Sequence, residues 1–367
     1  MRLLFRALLL AALSLPAAAG DCAWPAWDAF RAALVSADGR VIDPSSPRRI
    51  STSEGQAYAL FFALVADDRD GFARLLRWTE NNLAGGDLRR HLPAWLWGRA
   101  DDGQWRVLDA NNASDADLWL AYSLLEAGRL WQRPDYAHLG QDLLWRSAAQ
   151  TLQPLPGLGL MLLPGDQGFV AEAGWRLNPS YLPPQLLERF AAIAPVWAEL
   201  AGNARRLLRE GSPRGLAPDW LLWRRAQGWA ADPEHGREGD YDAIRVYLWV
   251  GMLAADAPGR AELQRHFAPM AALTAARGAP PERIDAGDGR AEGQGGAGFS
   301  AALLPLLASL DPAAHASQRA RLAQQPAAAQ AYYDQVLGLF GGGWDAGRFR
   351  FAADGRLLPA WEQRCAD

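Results

Sequence analysis

Three strongly apolar, helix-like stretches of this chain each open with a carboxylate. They are Glu54 in Ser53-Glu54-Gly55-Gln56-Ala57-Tyr58, Asp115 in Ala113-Ser114-Asp115-Ala116-Asp117-Leu118-Trp119, and Asp242 in Asp240-Tyr241-Asp242-Ala243-Ile244-Arg245. An apolar helix is normally buried, and burying a charge at its end is costly unless the charge has a partner or a task. A task that suits paired carboxyls is the cleavage of an acetal. One carboxyl protonates the leaving oxygen, and the other either attacks the anomeric carbon or activates a water; the pair stands about 5 Å apart in the first case and roughly 6.5–9.5 Å apart in the second. Each acid also has a structural role open to it. Ser51-x-x-Glu54 has the spacing of a capping box, Asp115 and Asp117 sit where first-turn acids complement a helix dipole, and Asp242 has Arg245 three residues on as an ion-pair partner. Those roles leave Gly55-Gln56 unexplained. A glycine inside a helix costs about 1 kcal/mol relative to alanine, so Gly55 predicts a close approach to the backbone by some other group.

The elements that must position these acids alternate in character. Residues 54–66, 117–131 and 241–254 are apolar on nearly every face, which reads as helices buried all round. Each is followed by a one-sided stretch: Phe72, Leu75, Leu76 and Leu83; then Leu139, Leu143 and Leu144 in 135–149; then Leu263, Phe267 and Met270 in 260–276. Further helix candidates are 185–201, 203–210, 298–309, 316–324 and 327–340. The alternation predicts an all-α fold of six helical hairpins closed into a ring of two layers. Only 105–108 and 348–351 carry strand signals, and the Pro- and Gly-rich stretches 154–168, 178–184 and 277–298 read as long loops. No linker divides residues 21–367, which are read as a single catalytic domain. In a ring of antiparallel hairpins all inner helices run the same way, so their N-termini surround one mouth. The ring therefore predicts that Glu54, Asp115 and Asp242 converge.

Composition narrows the partners. The chain has 367 residues, 37 basic and 41 acidic, for a net charge of −4 and no basic stripe that would suit nucleic acid. Every basic residue is arginine, which excludes a lysine Schiff base and a P-loop lysine. The 17 Trp outnumber the 12 Phe and 8 Tyr, and indole faces stack well on sugar rings while keeping one N–H donor. Residues 1–20 have the form of a signal peptide: Arg2 and Arg6, an apolar run from Ala7 to Leu15, and Ala17-Ala18-Ala19 as a cleavage site. The expectation is an exported, soluble protein with no membrane insertion. The two cysteines, Cys22 and Cys365, lie near the two ends of the mature chain, and in an oxidising compartment they predict a disulfide. The His and Cys residues show no metal-ligand spacing, so neither a metal nor another cofactor is expected.

The motifs resemble glycoside hydrolase family 8. Ser53-Glu54-Gly55-Gln56 resembles its Ser-Glu-Gly-Gln segment, 113–119 running on to Glu126-Ala127-Gly128-Arg129-Leu130-Trp131 resembles its Ala-Ser/Thr-Asp-Gly/Ala-Asp signature, and Tyr241-Asp242-Ala243-Ile244-Arg245 resembles its third catalytic segment. Cys22-Ala23-Trp24-Pro25-Ala26-Trp27, Leu92-Pro93-Ala94-Trp95-Leu96-Trp97-Gly98, Asn178-Pro179-Ser180-Tyr181-Leu182-Pro183-Pro184 and Gly298-Phe299-Ser300-Ala301-Ala302 narrow the likeness to the periplasmic endoglucanase subunits of bacterial cellulose-synthesis systems. The resemblance implies an (α/α)6 barrel and inverting hydrolysis of a β-1,4-glucan, cellulose. It implies Glu54 as general acid, Asp242 as general base and Asp115 as a sugar-binding residue supporting the transition state. It also implies Tyr181 near the attacking water and Arg245 orienting Asp242; Trp97, Trp105 and Trp175 are candidate sugar platforms. A monomer in the periplasm, working beside cellulose synthase and export machinery, is the implied setting. A hydrolase of another β-1,4-linked glycan, such as xylan or chitosan, and a non-catalytic glucan-guiding protein are the alternatives. Ala59 and Ala116 stand where relatives often have Gly, and Asp240 adds a further acid beside Asp242.

Overall fold

The computed structural model describes residues 23–364; the expected signal segment and both cysteines, Cys22 and Cys365, lie outside the described residues. Helix α1 (Pro25–Leu34) precedes the pair α2 (Ser53–Val65) and α3 (Arg69–Leu83). The pairs α4 (Ser114–Leu130) with α5 (Pro134–Thr151), and α6 (Pro184–Ala191) with α7 (Pro195–Glu210), follow. Next come α8 (Ala243–Gly251) with α9 (Arg260–His266) and α10 (Ala268–Arg277), then α11 (Ala297–Leu310) with α12 (Pro312–Gln324), then α13 (Tyr332–Leu337), which widens into a π turn over Gly338–Gly342. Helices α2, α4, α6, α8, α11 and α13 form the inner ring. α1 lies across the seam, where Trp24, Trp27 and Phe30 pack on Phe62 of α2 and Gln330 donates to the Ala33 carbonyl. The result is an (α/α)6 barrel.

The inner helices are inner because they have no polar face to give to water. All of α2 except Glu54 is buried, and α4 is buried from Ser114 to Gly128. The axis of the ring is filled by Phe340 from the π turn. Its ring lies 4.6 Å from Phe62, 5.0 Å from Tyr58, 5.1 Å from Trp119 and 5.1 Å from Trp249, mostly edge-on, the arrangement aromatic quadrupoles favour. One residue from the last inner helix thus touches three others.

Short antiparallel strands decorate the two ends. β1 (Ser51–Thr52), β2 (Leu96–Arg99) and β3 (Trp105–Asp109) form one sheet, and β4 (Leu152–Leu155) pairs with β5 (Gly159–Leu162). β6 (Val170–Ala171), β7 (Gly174–Leu177), β8 (Leu221–Arg224) and β9 (Gly228–Ala231) form a second sheet; β10 (Glu238–Gly239), β11 (Arg283–Asp285) and β12 (Ala291–Glu292) form a third. β1 runs into α2 and Glu54, β7 into Asn178, and β10 into Asp240, so these sheets frame the mouth. The opposite end is closed by β13 (Phe349–Phe351) and β14 (Leu357–Pro359). There the buried Glu126 carboxylate accepts from Arg129, from Arg189 and from the Leu357 N–H, while Phe349 and Phe351 cover Phe61. Among the described residues no helix is long and apolar enough to cross a membrane.

Several local expectations are corrected. The helix expected over 185–201 breaks at 192–194, because Pro195 forces Ala194 into extended backbone (φ −155°, ψ 146°), and the helix then runs straight through Gly202. The helix expected over 260–276 breaks at Phe267, two residues before Pro269. The helix expected from 327 begins at Tyr332. The stretches 154–168 and 277–298 are not bare loops but contain β5 and the β11–β12 hairpin. α1 was not among the expected helices, although its buried residues Trp27, Phe30 and Leu34 recur at helical spacing. The capping box is not formed either: Thr52 caps α2, its side chain accepting from the Gly55 N–H, while Ser51 bonds to Arg40 and the Val41 carbonyl.

Candidate active site

The shared direction of the inner helices brings their N-termini together. Arg245, on the first turn of α8 and 3% exposed at its side chain, is the hub. Its Nη1 donates to Glu54 Oε2 from α2, to Tyr58 Oη at 3.0 Å and to Asp115 Oδ2 of α4 at 3.4 Å. Its Nη2 donates to Asp242 Oδ1 and to Ser180 Oγ at 3.1 Å, on the turn before α6. α13 joins through Tyr333, whose hydroxyl donates to the Tyr241 carbonyl, and α11 through Gly298 N–H, which donates to Asp334 Oδ1 at 2.8 Å. One guanidinium therefore gathers the three acids that open α2, α4 and the approach to α8.

The acids differ in what surrounds them. Asp115 is buried, 2% exposed, and its Oδ1 accepts from the Ala116 N–H at 2.8 Å. Burial pushes its carboxyl up to about 7, against the pull of Arg245 and with the charge of Glu54 adding to the rise. Glu54 and Asp242 keep 22% and 28% of their side chains exposed at the cleft floor. Glu54 is also raised above the ordinary carboxylate range, first by burial; Arg245 opposes the shift and Asp242 reinforces it. Asp242 Oδ2 accepts from Asn178 Nδ2 at 2.9 Å, and Asn178 Oδ1 in turn accepts from the Ser180 N–H and hydroxyl. Asp117 lies apart from this set. It is fully buried, its Oδ2 accepts from Asn112 Nδ2 at 2.6 Å, and burial raises its carboxyl well above the usual range.

The close approach expected at Gly55 is made by Tyr332. A Cβ at position 55 would lie 2.6 Å from the Tyr332 hydroxyl and 3.3 Å from Thr52 Oγ1. Gly55→Ala is therefore expected to lower stability by about 1–3 kcal/mol, the cost of overpacking, outweighing the roughly 1 kcal/mol gained in helix propensity. Tyr332→Phe added to it should recover part of the loss in a thermal melt. Additive losses would show that the clash is not what excludes a side chain there.

The aromatic candidates fall in different places. β1 pairs Ser51 with Trp97, three residues before Glu54, which sets Trp97 beside the mouth. Trp97 stacks on Trp105 (5.3 Å, 16°) and meets Trp78 edge-on at 5.3 Å. The Arg40 guanidinium lies over both rings, 4.3 Å from Trp97 and 4.7 Å from Trp105. Trp105 is 44% exposed. Tyr181 sits 5.7 Å from the Arg245 guanidinium, and burial together with the charges of Asp115 and Asp242 raises its hydroxyl pKa. Trp175 pairs across the sheet with Val170 and Trp223 and packs against the core. The next residue, Arg176, points to the opposite face by strand alternation and lies 4.9 Å over Trp220. Trp220 was not singled out from the sequence, yet its ring is 6.1 Å from Tyr181 and 5.9 Å from Phe169. Tyr58, Asn178 and Ser180 lay within the motif segments but were given no role there.

A helical barrel with carboxyl groups gathered at its open end has the layout of a glycoside hydrolase. The chain belongs to the glycosyl hydrolases family 8, whose family model matches residues 1–347. It is 50% identical over 360 residues to an endoglucanase of Escherichia coli O157:H7, covering 98% of this chain and 96% of that protein. It is 52% identical over 357 residues to an endoglucanase of Xanthomonas axonopodis pv. citri (strain 306), covering 96% and 92%. The fold is similar to the solved structure of an endo-1,4-D-glucanase from Vibrio fischeri ES114, with a TM-score of 0.88 and 44% identity over 93% of this chain and 100% of that one.

Proposed function

We propose that this protein is an endo-β-1,4-glucanase that cleaves within cellulose chains with inversion at the anomeric carbon. The observation that carries the reading is the single Arg245 guanidinium holding Glu54, Asp115 and Asp242 at the mouth of the barrel. Glu54, raised by burial, keeps a proton to give to the leaving glycosidic oxygen. Asp242, fixed by Arg245 and Asn178, takes the proton of a water as that water attacks from the other face of the sugar. Both carboxyls bind neighbouring nitrogens of one fork, which sets them at a fixed spacing across the cleft. Tyr181 borders the place where that water stands, and Asp115, beneath the distorted sugar, bonds its hydroxyls and supports the transition state. The Trp97–Trp105 stack holds a flanking glucose unit. Endoglucanase relatives of about half-identical sequence support the glucan substrate. Export to the periplasm, action as a monomer and a place beside a cellulose synthase and its exporter complete the proposal, supported by the form of residues 1–20 and the motif resemblance.

Proton NMR of cello-oligosaccharide cleavage tests it in one experiment. The expected first product is the α-anomer, which later mutarotates. Immediate β-anomer would sink inversion, no new reducing ends would sink the enzymatic reading, and turnover of xylo-oligosaccharides in preference would sink the glucan assignment.

A further inference from the structure

Asp242 occupies the N-cap position of α8, where an aspartate ordinarily folds back onto the N–H groups of the first turn. It makes no such bond. Its two oxygens are turned to Arg245 and Asn178. The capping is done from outside the helix by Asp219, which lies before β8 and is 9% exposed. Asp219 Oδ1 accepts from the Ala243 N–H at 2.7 Å and from the Asp240 N–H at 2.8 Å. Backbone donors on both sides of Asp242 are thus taken by another residue's carboxyl.

Asp219 is itself anchored. Its N–H donates to the Glu238 carbonyl at 2.8 Å, and the Ala217 N–H donates to Tyr247 Oη of α8 at 2.8 Å. The two segments meet backbone to backbone at Gly239, where a Cβ would lie 2.2 Å from the Ala217 carbonyl oxygen. Burial, a hydrogen bond shared with the Asp240 carboxyl and the charge of Asp242 push Asp219 up to about 9. Its role in the geometry is that of an acceptor, since Oδ1 takes both backbone N–H groups. An asparagine offers the same acceptor oxygen.

We propose that Asp219 is a positioning residue for the reaction: by capping α8 in place of Asp242, it keeps the Asp242 carboxylate aimed at the cleft. Without Asp219, the Ala243 and Asp240 N–H groups lose their acceptor, and the turn that carries Asp242 loses the tie that sets its direction. The proposal rests on the reading of Asp242 as general base.

Steady-state kinetics on a soluble cello-oligosaccharide, with Asp242→Asn in parallel, tests both. Asp219→Ala is expected to lose about 100-fold in kcat, the cost of a misplacement of order 1 Å, with KM within about twofold. Asp219→Asn is expected to stay within about fivefold of the parent, because its carboxamide oxygen accepts the same two N–H groups. If Asp219→Ala keeps its kcat while Asp242→Asn is inactive, the positioning role is overturned and the base assignment stands. An active Asp242→Asn overturns the base assignment and the proposal with it. Should Asp219→Ala fail to fold, the Asn variant decides alone: a 100-fold loss of kcat there, or a change confined to KM, overturns the proposal.

Discussion

Glu54→Gln is expected to lower kcat on cello-oligosaccharides by roughly 1,000-fold, within the range that general acid catalysis supplies, and to leave KM nearly unchanged. The loss should depend on the leaving group. On an aryl cellobioside whose phenolate departs without a proton, Glu54→Gln should lose far less, whereas Asp242→Asn should lose activity on both substrates because the attacking water still needs a base. The pH profile carries a sign that can be checked. An acid works while protonated, so activity is present below its pKa and falls as pH rises through it. Burial raises Glu54 above the ordinary carboxylate range, so the alkaline limb on unactivated substrate should lie above that range. It should be absent for Glu54→Gln on the activated one. An equal loss on both substrates would remove Glu54 from the acid role.

Arg245→Met is expected to be the most destabilising single change at the mouth. It leaves buried acids without their shared cation, and breaking a buried pair from one side costs about 3–5 kcal/mol. That cost should depend on pH. Glu54 and Asp115 have folded-state pKa values raised above their unfolded ones, Asp115 to about 7. For such groups the folded state binds protons more tightly, so their contribution to stability is full below the unfolded carboxylate range and is lost as pH rises through the folded pKa. Without Arg245 both pKa values climb further. Urea unfolding should therefore show a large loss for Arg245→Met at pH 7.5 and a much smaller one near pH 4, where the folded acids are protonated and the unfolded ones about half so. A loss of equal size at both pH values would mean that Arg245 acts through packing and not through its charge.

The acids themselves were legible because two independent regularities pointed at them. Glu54, Asp115 and Asp242 each open a stretch too apolar to be exposed, and the alternation of buried and one-sided helices orients those openings toward one mouth. Their roles as helix caps were equally legible from local spacing, and for Glu54 that reading lost. Thr52 does the capping because its backbone is extended and its hydroxyl faces the Gly55 N–H, which leaves Glu54 free to reach Arg245. What stayed hidden depends on contacts between segments remote in the chain. Asp219 sits in Ala217-Pro218-Asp219-Trp220, with no periodicity or motif around it, and its partner helix begins more than a strand pair later. Trp220 and Trp175 looked alike in sequence. Strand alternation in the sheet set Arg176 and Trp220 on one face and Trp175 on the other, and alternation over so short a strand carries no register until its partners are known. The helix breaks before Pro195 and Pro269 were missed because the apolar spacing continues across both prolines, and the hairpins within the Pro- and Gly-rich stretches lack the β-branched runs that announce strands.

Closure of the ring joins segments from the two ends of the described chain, and this governs the order in which the barrel can be assembled. Tyr122 bonds the Gly355 carbonyl across 233 positions, and Trp361 bonds the Leu64 carbonyl across 297. Until Phe340 arrives, the rings of Phe61, Trp119 and Trp249 lack the residue that fills the space between them. Contacts of such separation are expensive to form early, since the entropy of closing the chain precedes any reward. The last quarter of the polypeptide thus acts as a latch: earlier hairpins can form and come apart, but a lasting barrel waits for residues near 340 to 361. A chain cut short of that latch would display its aromatic interior and clump, whereas the full chain would refold with a slow final phase in which tryptophan fluorescence, rather than helix content, reports completion.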